Sequence, residues 1–383
     1  MLSPRRRDLV AILLPGVIGC GRQARPRDPL IPVQRSDGWR IGKLTDSGFD
    51  ETAFRKLTAD LKAGVFPNTH AVLVEHDGRL VYEQYLAGRD ERWGESLGHR
   101  VMDADSLHDL RSVSKSVTAA ALGIALGADF EKALASPIGS FFPRLNLPPE
   151  LDALKLHHVL TMTAGLEWNE MTVPYTDSNN DELRMYSVKD PVAMVLARGI
   201  RQEPGTSWYY NGGLTQVLAG VVGKITGKTL DAYANEVLFG PLGITRYEWI
   251  GVPQWNPPMP AAASGLRMRA RDLAKLGSVY LHGGEWQGRQ IVPAAWVERS
   301  TRRHVASIGD WSSRGIWGYG YQWWVGRFPE GYEVAAAVGN GNQRVFVASK
   351  ERVVVTVFAG EYNVFQGHGE RILRSVIAAR TPA

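Results

Sequence analysis

Short apolar runs typical of β-strands stand near both ends of the chain. Residues 71–74 and 80–83 are separated by Asp77-Gly78, a dipeptide that favours a tight hairpin. Toward the other end, residues 345–348 and 353–358 flank a charged turn. The pattern predicts antiparallel sheet in both terminal parts of the chain.

Segments with helical spacing occupy the middle of the chain. Residues 214–225 and 271–281 repeat apolar positions every three to four residues, and connections rich in Pro and Gly break the pattern near 204–205 and 255–260. A further helix is predicted over 369–380. The arrangement predicts an α+β protein with a mostly helical region between two sheet-forming parts.

Composition indicates a globular protein with a sizeable core. The 383 residues are 44% hydrophobic and 22% charged, and the formal net charge is +5. This excess is small, and no run of like charge follows the first residues. We therefore expect no nucleic-acid partner.

The N-terminal residues are similar to a bacterial lipoprotein signal. A basic segment, Arg5-Arg6-Arg7, precedes an apolar run that ends at Cys20, the single cysteine of the chain. This pattern predicts a signal peptide over 1–20 with lipidation at Cys20, a tether over 21–45 and export to the periplasm or a membrane-anchored state. A generic signal peptide with an incidental cysteine is the alternative.

Several common catalytic motifs are missing. Gly227-Lys228-Thr229 ends like a phosphate-binding loop, but Val222 stands where the first glycine is required. HExxH, GxSxG and GxGxxG do not occur, and the histidines lack metal-ligand spacing. We expect neither a metal nor a cofactor.

Ser112 and Lys115 form the strongest chemical signal. They belong to Ser-Val-Ser-Lys at the start of an Ala-rich helical run, where residues i and i+3 share one face. A serine hydroxyl needs a base to become a nucleophile, and a desolvated lysine can serve. Taken alone the pair also fits a helix cap followed by a solvated lysine.

The motif resembles the first of three found in serine β-lactamases and penicillin-binding proteins. The chain is similar to the class C branch of this group, over about residues 49–380. That branch includes D-alanyl-D-alanine carboxypeptidases, esterases and 6-aminohexanoate-oligomer hydrolases. Further phrases typical of the family are 160–168, 204–206, 264–266 and 271–274.

The resemblance implies a β-lactamase/transpeptidase-like fold. An antiparallel sheet flanked by helices would be built from about 46–110 and 310–383, with a mostly helical lobe inserted between these parts. Residues 46–383 would form one catalytic domain, with the site at the boundary between sheet and lobe.

The second family motif, Tyr-x-Asn, can be placed in two registers. Literal matching selects Tyr209 and makes Asn211 a substrate contact. Counting from Pro204-Gly205-Thr206 instead selects Tyr210. The resemblance implies a tyrosine that moves a proton beside Ser112, and we favour Tyr210.

The third motif, Lys-Thr-Gly, is replaced by Gly339-Asn340-Gly341-Asn342 before a predicted strand. By position, Asn340, Gly341 and Asn342 would contact substrate, and the Asn342 N–H would join the Ser112 N–H as an oxyanion hole. The missing lysine disfavours substrates that carry a carboxylate at this end.

These residues together imply a serine hydrolase that forms an acyl-enzyme on small ester or amide substrates, similar to the esterases or 6-aminohexanoate hydrolases. A D-alanyl-D-alanine carboxypeptidase and a class C-like β-lactamase are the alternative enzymes. A penicillin-recognising cell-wall sensor without turnover is the alternative outside catalysis. The oligomeric state is not visible in the sequence.

Overall fold

The computed structural model describes residues 28–309, 315–364 and 367–381. Cys20 and the predicted signal peptide lie outside these ranges. Within them the strands are β1 Arg40–Ile41, β2 Thr69–His76, β3 Arg79–Tyr85, β4 Ala87–Arg92, β5 Glu95–Val101, β6 His108–Asp109, β7 Tyr247–Trp249, β8 Leu266–Met268, β9 Glu285–Trp286, β10 Arg289–Gln290, β11 Ile316–Tyr319, β12 Trp324–Arg327, β13 Glu333–Gly339, β14 Gln343–Ala348 and β15 Val353–Ala359.

The α-helices of the described residues are distributed between the sheet and the central region. They are α1 Glu51–Lys62, α2 Val113–Leu126, α3 Phe130–Ala135, α4 Leu156–Leu160, α5 Asp181–Met185, α6 Pro191–Leu196, α7 Gly212–Thr226, α8 Leu230–Ala234, α9 Ala270–Leu281, α10 Ala294–Thr301 and α11 His368–Ala378. Short 3₁₀ turns occur at Thr45–Ser47, Gly127–Asp129, Ile138–Phe141 and Pro149–Ala153, and a π turn at Asn235–Phe239.

One eight-stranded sheet joins the two terminal parts of the chain. Its order is β1-β3-β2-β15-β14-β13-β12-β11, and all neighbours are antiparallel except the parallel pair of β1 and β3. The junction between the N-terminal and C-terminal parts is the pairing of β2 with β15. The predicted fold class is thereby confirmed.

Helices cover both faces of this sheet. Gly277 of α9 packs so closely that a Cβ there would lie 2.8 Å from Val345 and 2.5 Å from Val354. A Cβ on Gly369 of α11 would lie 2.7 Å from the neighbouring strand residue, Arg344. Because successive side chains of a strand point to opposite faces, α9 and α11 lie on opposite sides of the sheet.

The predicted central helices correspond to α7 and α9, and the predicted C-terminal helix corresponds to α11. In the lobe, α2 packs against α7 and reaches β13 and β14 of the sheet. The stretch Val113–Ala135 is long and apolar enough to cross a membrane, but 67% of its most apolar window is buried inside the fold. It serves here as core, and its first residues carry the candidate chemistry.

Candidate active site

Ser112 and Lys115 meet at the start of α2, as their spacing predicts. The Lys115 Nζ donates to the Ser112 Oγ at 3.0 Å and to the Ala263 carbonyl at 3.0 Å. The lysine is only 2% exposed, and Arg111 before the serine has a positive φ of 48°. The turn presents the hydroxyl at the helix start while the buried amine is held against it.

Tyr210 completes a three-residue cluster with this pair. It lines the same pocket as Ser112, and the Lys115 Nζ lies 5.0 Å from its ring centroid. Burial first and then the nearby Glu170 raise the pKa of Tyr210 well above its ordinary value, while the interaction of its phenol with the Ser112 side chain acts in the opposite direction. The structure therefore places a neutral phenol beside the serine. Tyr209 is 36% exposed and lies outside the cluster.

Asn211, the substrate contact of the literal Tyr-x-Asn register, occupies a helix cap. Its Oδ1 accepts the Leu214 N–H at 3.2 Å, and the residue is buried. This contact satisfies one of the free N–H groups at the start of α7. The side chain thus helps to begin the helix that follows Tyr210, and it is not among the residues that line the pocket beside Ser112.

The end of β13 packs directly on the serine backbone through Gly339. A Cβ at this position would lie 2.3 Å from the Leu110 carbonyl oxygen and 3.3 Å from the Ser112 nitrogen. Only glycine allows this approach. The peptide that follows, between Gly339 and Asn340, therefore starts beside the serine.

The three hairpin residues after Gly339 line the same pocket as Ser112. Asn340 exchanges two hydrogen bonds with Asn363, of 2.8 and 2.7 Å. Asn342 is buried with a positive φ of 65°, and its amide donates to Glu361 at 3.0 Å. Their side chains therefore hold the hairpin to the segment that follows β15.

The pocket itself is a narrow cavity of about 40 Å³ in front of the Ser112 hydroxyl. Apolar side chains form much of its wall: Met171, Trp324, Val338 and Val364. Tyr175, Tyr210 and Arg344 supply polar atoms. A cavity of this size and lining suits a small acyl group more than a large charged one.

A pair of buried carboxyl groups behind Tyr210 was not anticipated from the sequence. Glu170 accepts hydrogen bonds from the Gly212 N–H at 2.6 Å, the Trp168 indole at 2.7 Å and the Tyr175 hydroxyl at 2.7 Å. Burial and the neighbouring Glu182 raise the pKa of Glu170 to about 8. The one available sequence signal is that Glu170 stands two residues after the end of the family phrase 160–168.

Arg344 stands two residues after Asn342 in the sequence, and the fold places it in the pocket wall. The Ala263 carbonyl, which precedes the family phrase 264–266, was not anticipated as a partner of Lys115. Both positions depend on strands and loops that are distant in sequence from Ser112.

One cluster of described residues has the composition of a metal site. Ligand atoms of His70, Asp90 and His108 lie within 4.8 Å of one another, all buried. The His108 Nδ1 donates to the Asp109 carbonyl at 3.0 Å, so the neutral ring accepts at Nε2 from His70 Nδ1, 2.7 Å away. Burial lowers the pKa of His70 to about 3 and that of His108 to about 4. Hydrogen bonds between neutral rings thus account for their close approach.

The fold, with Ser112, Lys115 and Tyr210 gathered at the start of α2, is that of the class of serine β-lactamases and penicillin-binding proteins. The Beta-lactamase family matches residues 54–374 of the chain. The protein belongs to this family.

A relative with a similar sequence accompanies the family match. A 6-aminohexanoate-dimer hydrolase of Paenarthrobacter ureafaciens is 28% identical over 267 residues, which are 67% of this chain and 64% of that protein. The chain thus aligns with somewhat less than two thirds of that relative.

Solved structures share the fold at lower identity. A family VIII carboxylesterase superposes with a TM-score of 0.66 at 16% identity, covering 89% of this chain and 99% of the other. An octameric penicillin-binding protein homologue from Pyrococcus abyssi gives 0.63 at 18% identity, covering 86% and 78%.

Proposed function

We propose that the protein is a serine hydrolase that cleaves ester or amide bonds of small substrates through an acyl-enzyme. The observation that carries the proposal is the contact of the buried Lys115 amine with the Ser112 hydroxyl, in a pocket that the Tyr210 side chain also lines. A nucleophile, a basic partner and a second proton carrier in one pocket are what acyl transfer requires.

In this mechanism the Ser112 Oγ attacks the substrate carbonyl carbon while its proton passes to the Lys115 amine. The tetrahedral intermediate then collapses, and the alcohol or amine leaves with that proton, delivered through Tyr210. Water attacks the resulting serine ester, and the hydroxyl of Ser112 is restored. The raised pKa of Tyr210 keeps the phenol protonated, so it passes a proton on and does not act as a phenolate base.

We place the oxyanion hole at the N–H groups of Ser112 and Asn340. Gly339 lies so close to the serine backbone that a Cβ there would be 3.3 Å from the Ser112 nitrogen, so the N–H of the next residue, Asn340, starts beside the nucleophile. The sequence pattern had favoured Asn342 for this role. Each well-placed donor is worth about 3–4 kcal/mol in the transition state.

The preferred substrates are neutral esters or amides with a small acyl part. Three observations support this: the narrow apolar pocket, the missing Lys-Thr-Gly lysine, and the names of relatives that are a 6-aminohexanoate-dimer hydrolase and a carboxylesterase. D-peptides and β-lactams are the alternative substrates of the same mechanism.

We further propose that the protein is exported and anchored to a bacterial membrane through lipidated Cys20. The support is the basic and apolar sequence that precedes this cysteine. Stable anchoring takes roughly two acyl chains, which a diacylated Cys20 would supply.

The proposed reaction is tested with Ser112→Ala and a matched control, Ser187→Ala, at an exposed serine whose Oγ bonds only to the Arg184 carbonyl. Wild type and S187A should hydrolyse p-nitrophenyl butyrate and label with a fluorescent fluorophosphonate, and S112A should do neither. Labelling of wild type by a fluorescent penicillin with no ester hydrolysis would favour the D-peptidase or sensor alternatives. Labelling of S112A would disprove the nucleophile.

A further inference from the structure

Arg344, the second residue of β14, holds the carbonyl of Gly339 in the pocket wall. Its Nη1 donates to the Gly339 oxygen at 2.9 Å and to the Gln343 oxygen at 3.0 Å. The guanidinium is itself fixed, because its Nε contacts Glu370 of α11 at 3.4 Å. The arginine is only 8% exposed although it borders the cavity.

The Gly339 carbonyl and the Asn340 N–H belong to the same peptide group. A trans peptide is planar, so its C=O and N–H point in opposite directions, and a bond that fixes the oxygen also fixes the N–H. A charged donor on the oxygen also draws electron density from the nitrogen and strengthens the N–H as a donor. Arg344 thus acts on one end of a peptide whose other end starts beside Ser112.

We propose that Arg344 is a positioning residue that orients and polarises the Gly339–Asn340 peptide as an oxyanion donor. The inference rests on the proposed acyl-enzyme function. Arg344 itself would touch neither the substrate nor the reacting oxygen. Its positive charge would stabilise the oxyanion indirectly, through the Gly339–Asn340 peptide. In a chain with an intact Lys-Thr-Gly motif, the lysine would supply a positive charge inside the site itself.

The surroundings of Arg344 fit a fixed support better than a free ligand-binding cation. Glu370 is 2% exposed and lies on the helix that covers this face, and Gly369 packs on the aliphatic part of Arg344. Arg344 also pairs across the sheet with Val338, so its backbone is held by β13 itself. To bind a substrate, Arg344 would need a free N–H donor. Two of its three side-chain nitrogens already form hydrogen bonds, Nε with Glu370 and Nη1 with the Gly339 oxygen.

The test compares Arg344→Met and Arg344→Lys with wild type, and Arg327→Met serves as a control on β12, where the arginine is exposed and pairs with Glu333. For p-nitrophenyl butyrate we expect R344M to lower kcat by about tenfold to a hundredfold, with KM changed less than about threefold. The loss is smaller than the roughly hundredfold to thousandfold loss for removal of a donor itself, because the Asn340 N–H remains and only its support is removed. R344K keeps one charged donor and should recover part of the loss. R327M should match wild type.

A boronic acid inhibitor supplies a measurement that a loss of folding would not reproduce. It forms a tetrahedral adduct with the serine and places an oxygen where the oxyanion develops, so its dissociation constant should rise in R344M by the same factor as kcat/KM falls. Active sites are counted by fluorophosphonate labelling, which corrects for any unfolded fraction.

Two results would overturn the inference. One is R344M with wild-type kcat and boronate affinity per active site. The other is a rise in KM confined to carboxylate-bearing substrates such as nitrocefin, which would make Arg344 a substrate contact. If wild type itself neither labels with fluorophosphonate nor hydrolyses the ester, the proposed function has failed, and this result is distinct from either outcome for R344M.

Discussion

The buried carboxyl of Glu170 leads to a quantitative prediction about stability and pH. Burial, and after it the charge of Glu182, raise the pKa of Glu170 from 4.5 to about 8, in spite of the opposing effects of Lys115 and the Gly212 N–H. The folded protein therefore holds a proton here that the unfolded chain releases above its ordinary pKa. Stability from this group is fully present below pH 4.5 and is lost as the pH rises toward about 8.

The size of the effect follows from one proton. A single proton bound only in the folded state changes the free energy of unfolding by about 1.4 kcal/mol per pH unit. Between about pH 5.5 and about pH 7.5 the contribution of Glu170 should therefore fall by roughly 2–3 kcal/mol. This is a large share of the free energy that holds an ordinary domain folded.

Glu170→Gln isolates this contribution. The amide keeps an oxygen for the Gly212 and Trp168 N–H groups but cannot titrate, and its NH₂ can donate to the Tyr175 hydroxyl. Guanidinium unfolding of both proteins over the pH range gives the difference in unfolding free energy, which should shift in favour of the variant as the pH rises.

Glu203→Gln, at an exposed glutamate, is the control and should give a difference that does not depend on pH. If the E170Q difference also changes by less than about 0.5 kcal/mol across the range, Glu170 does not hold the proton and the reasoning is refuted.

Three further predictions concern the site and the N-terminus. Tyr210→Phe should lower kcat for a neutral ester by about 10²–10⁴, whereas Tyr209→Phe should cost little; the reverse result would restore the literal Tyr-x-Asn register. Wild type should have a higher kcat/KM for that ester than for nitrocefin, and Asn340→Lys should narrow the gap, since a charge-assisted bond to a carboxylate is worth about 1.5–3 kcal/mol; faster turnover of nitrocefin by wild type would contradict the ester preference. Native protein should partition into a detergent phase and Cys20→Ser should not; equal partitioning would count against lipidation.

The sequence predicted those strands that consist of consecutive apolar residues and are joined by a turn with a characteristic dipeptide. The hairpin of β2 and β3 was accessible because Asp77-Gly78 takes up positive φ angles at its turn. The hairpin of β4 and β5 gave no such signal, because nearly every side chain of β5 is exposed and no apolar alternation marks it. The parallel pairing of β1 with β3 could not be predicted either, because a strand of two residues is too short to show a hydrophobic pattern.

The candidate site divides in the same way. Ser112 and Lys115 could be paired from sequence because one helical turn sets their spacing. Tyr210 needed a choice between two registers, and in the structure it is the tyrosine that lies buried beside Lys115. Gly339 and Arg344 could not be assigned, because their roles exist only once β13 lies against the start of α2.

The chemistry and the selectivity of this site therefore have different structural origins. The nucleophile and both proposed oxyanion donors belong to backbone that is fixed by a helix start and a strand end, where donors are preorganised and cost little reorganisation. The cavity wall instead includes Met171, Tyr175 and Val364, which come from loops that belong to neither element. Loops accept substitution and insertion more readily than a packed strand or helix. The proposed reaction type thus rests on short motifs and the backbone that positions them, whereas the acyl group that fits depends on loop residues that those motifs do not specify.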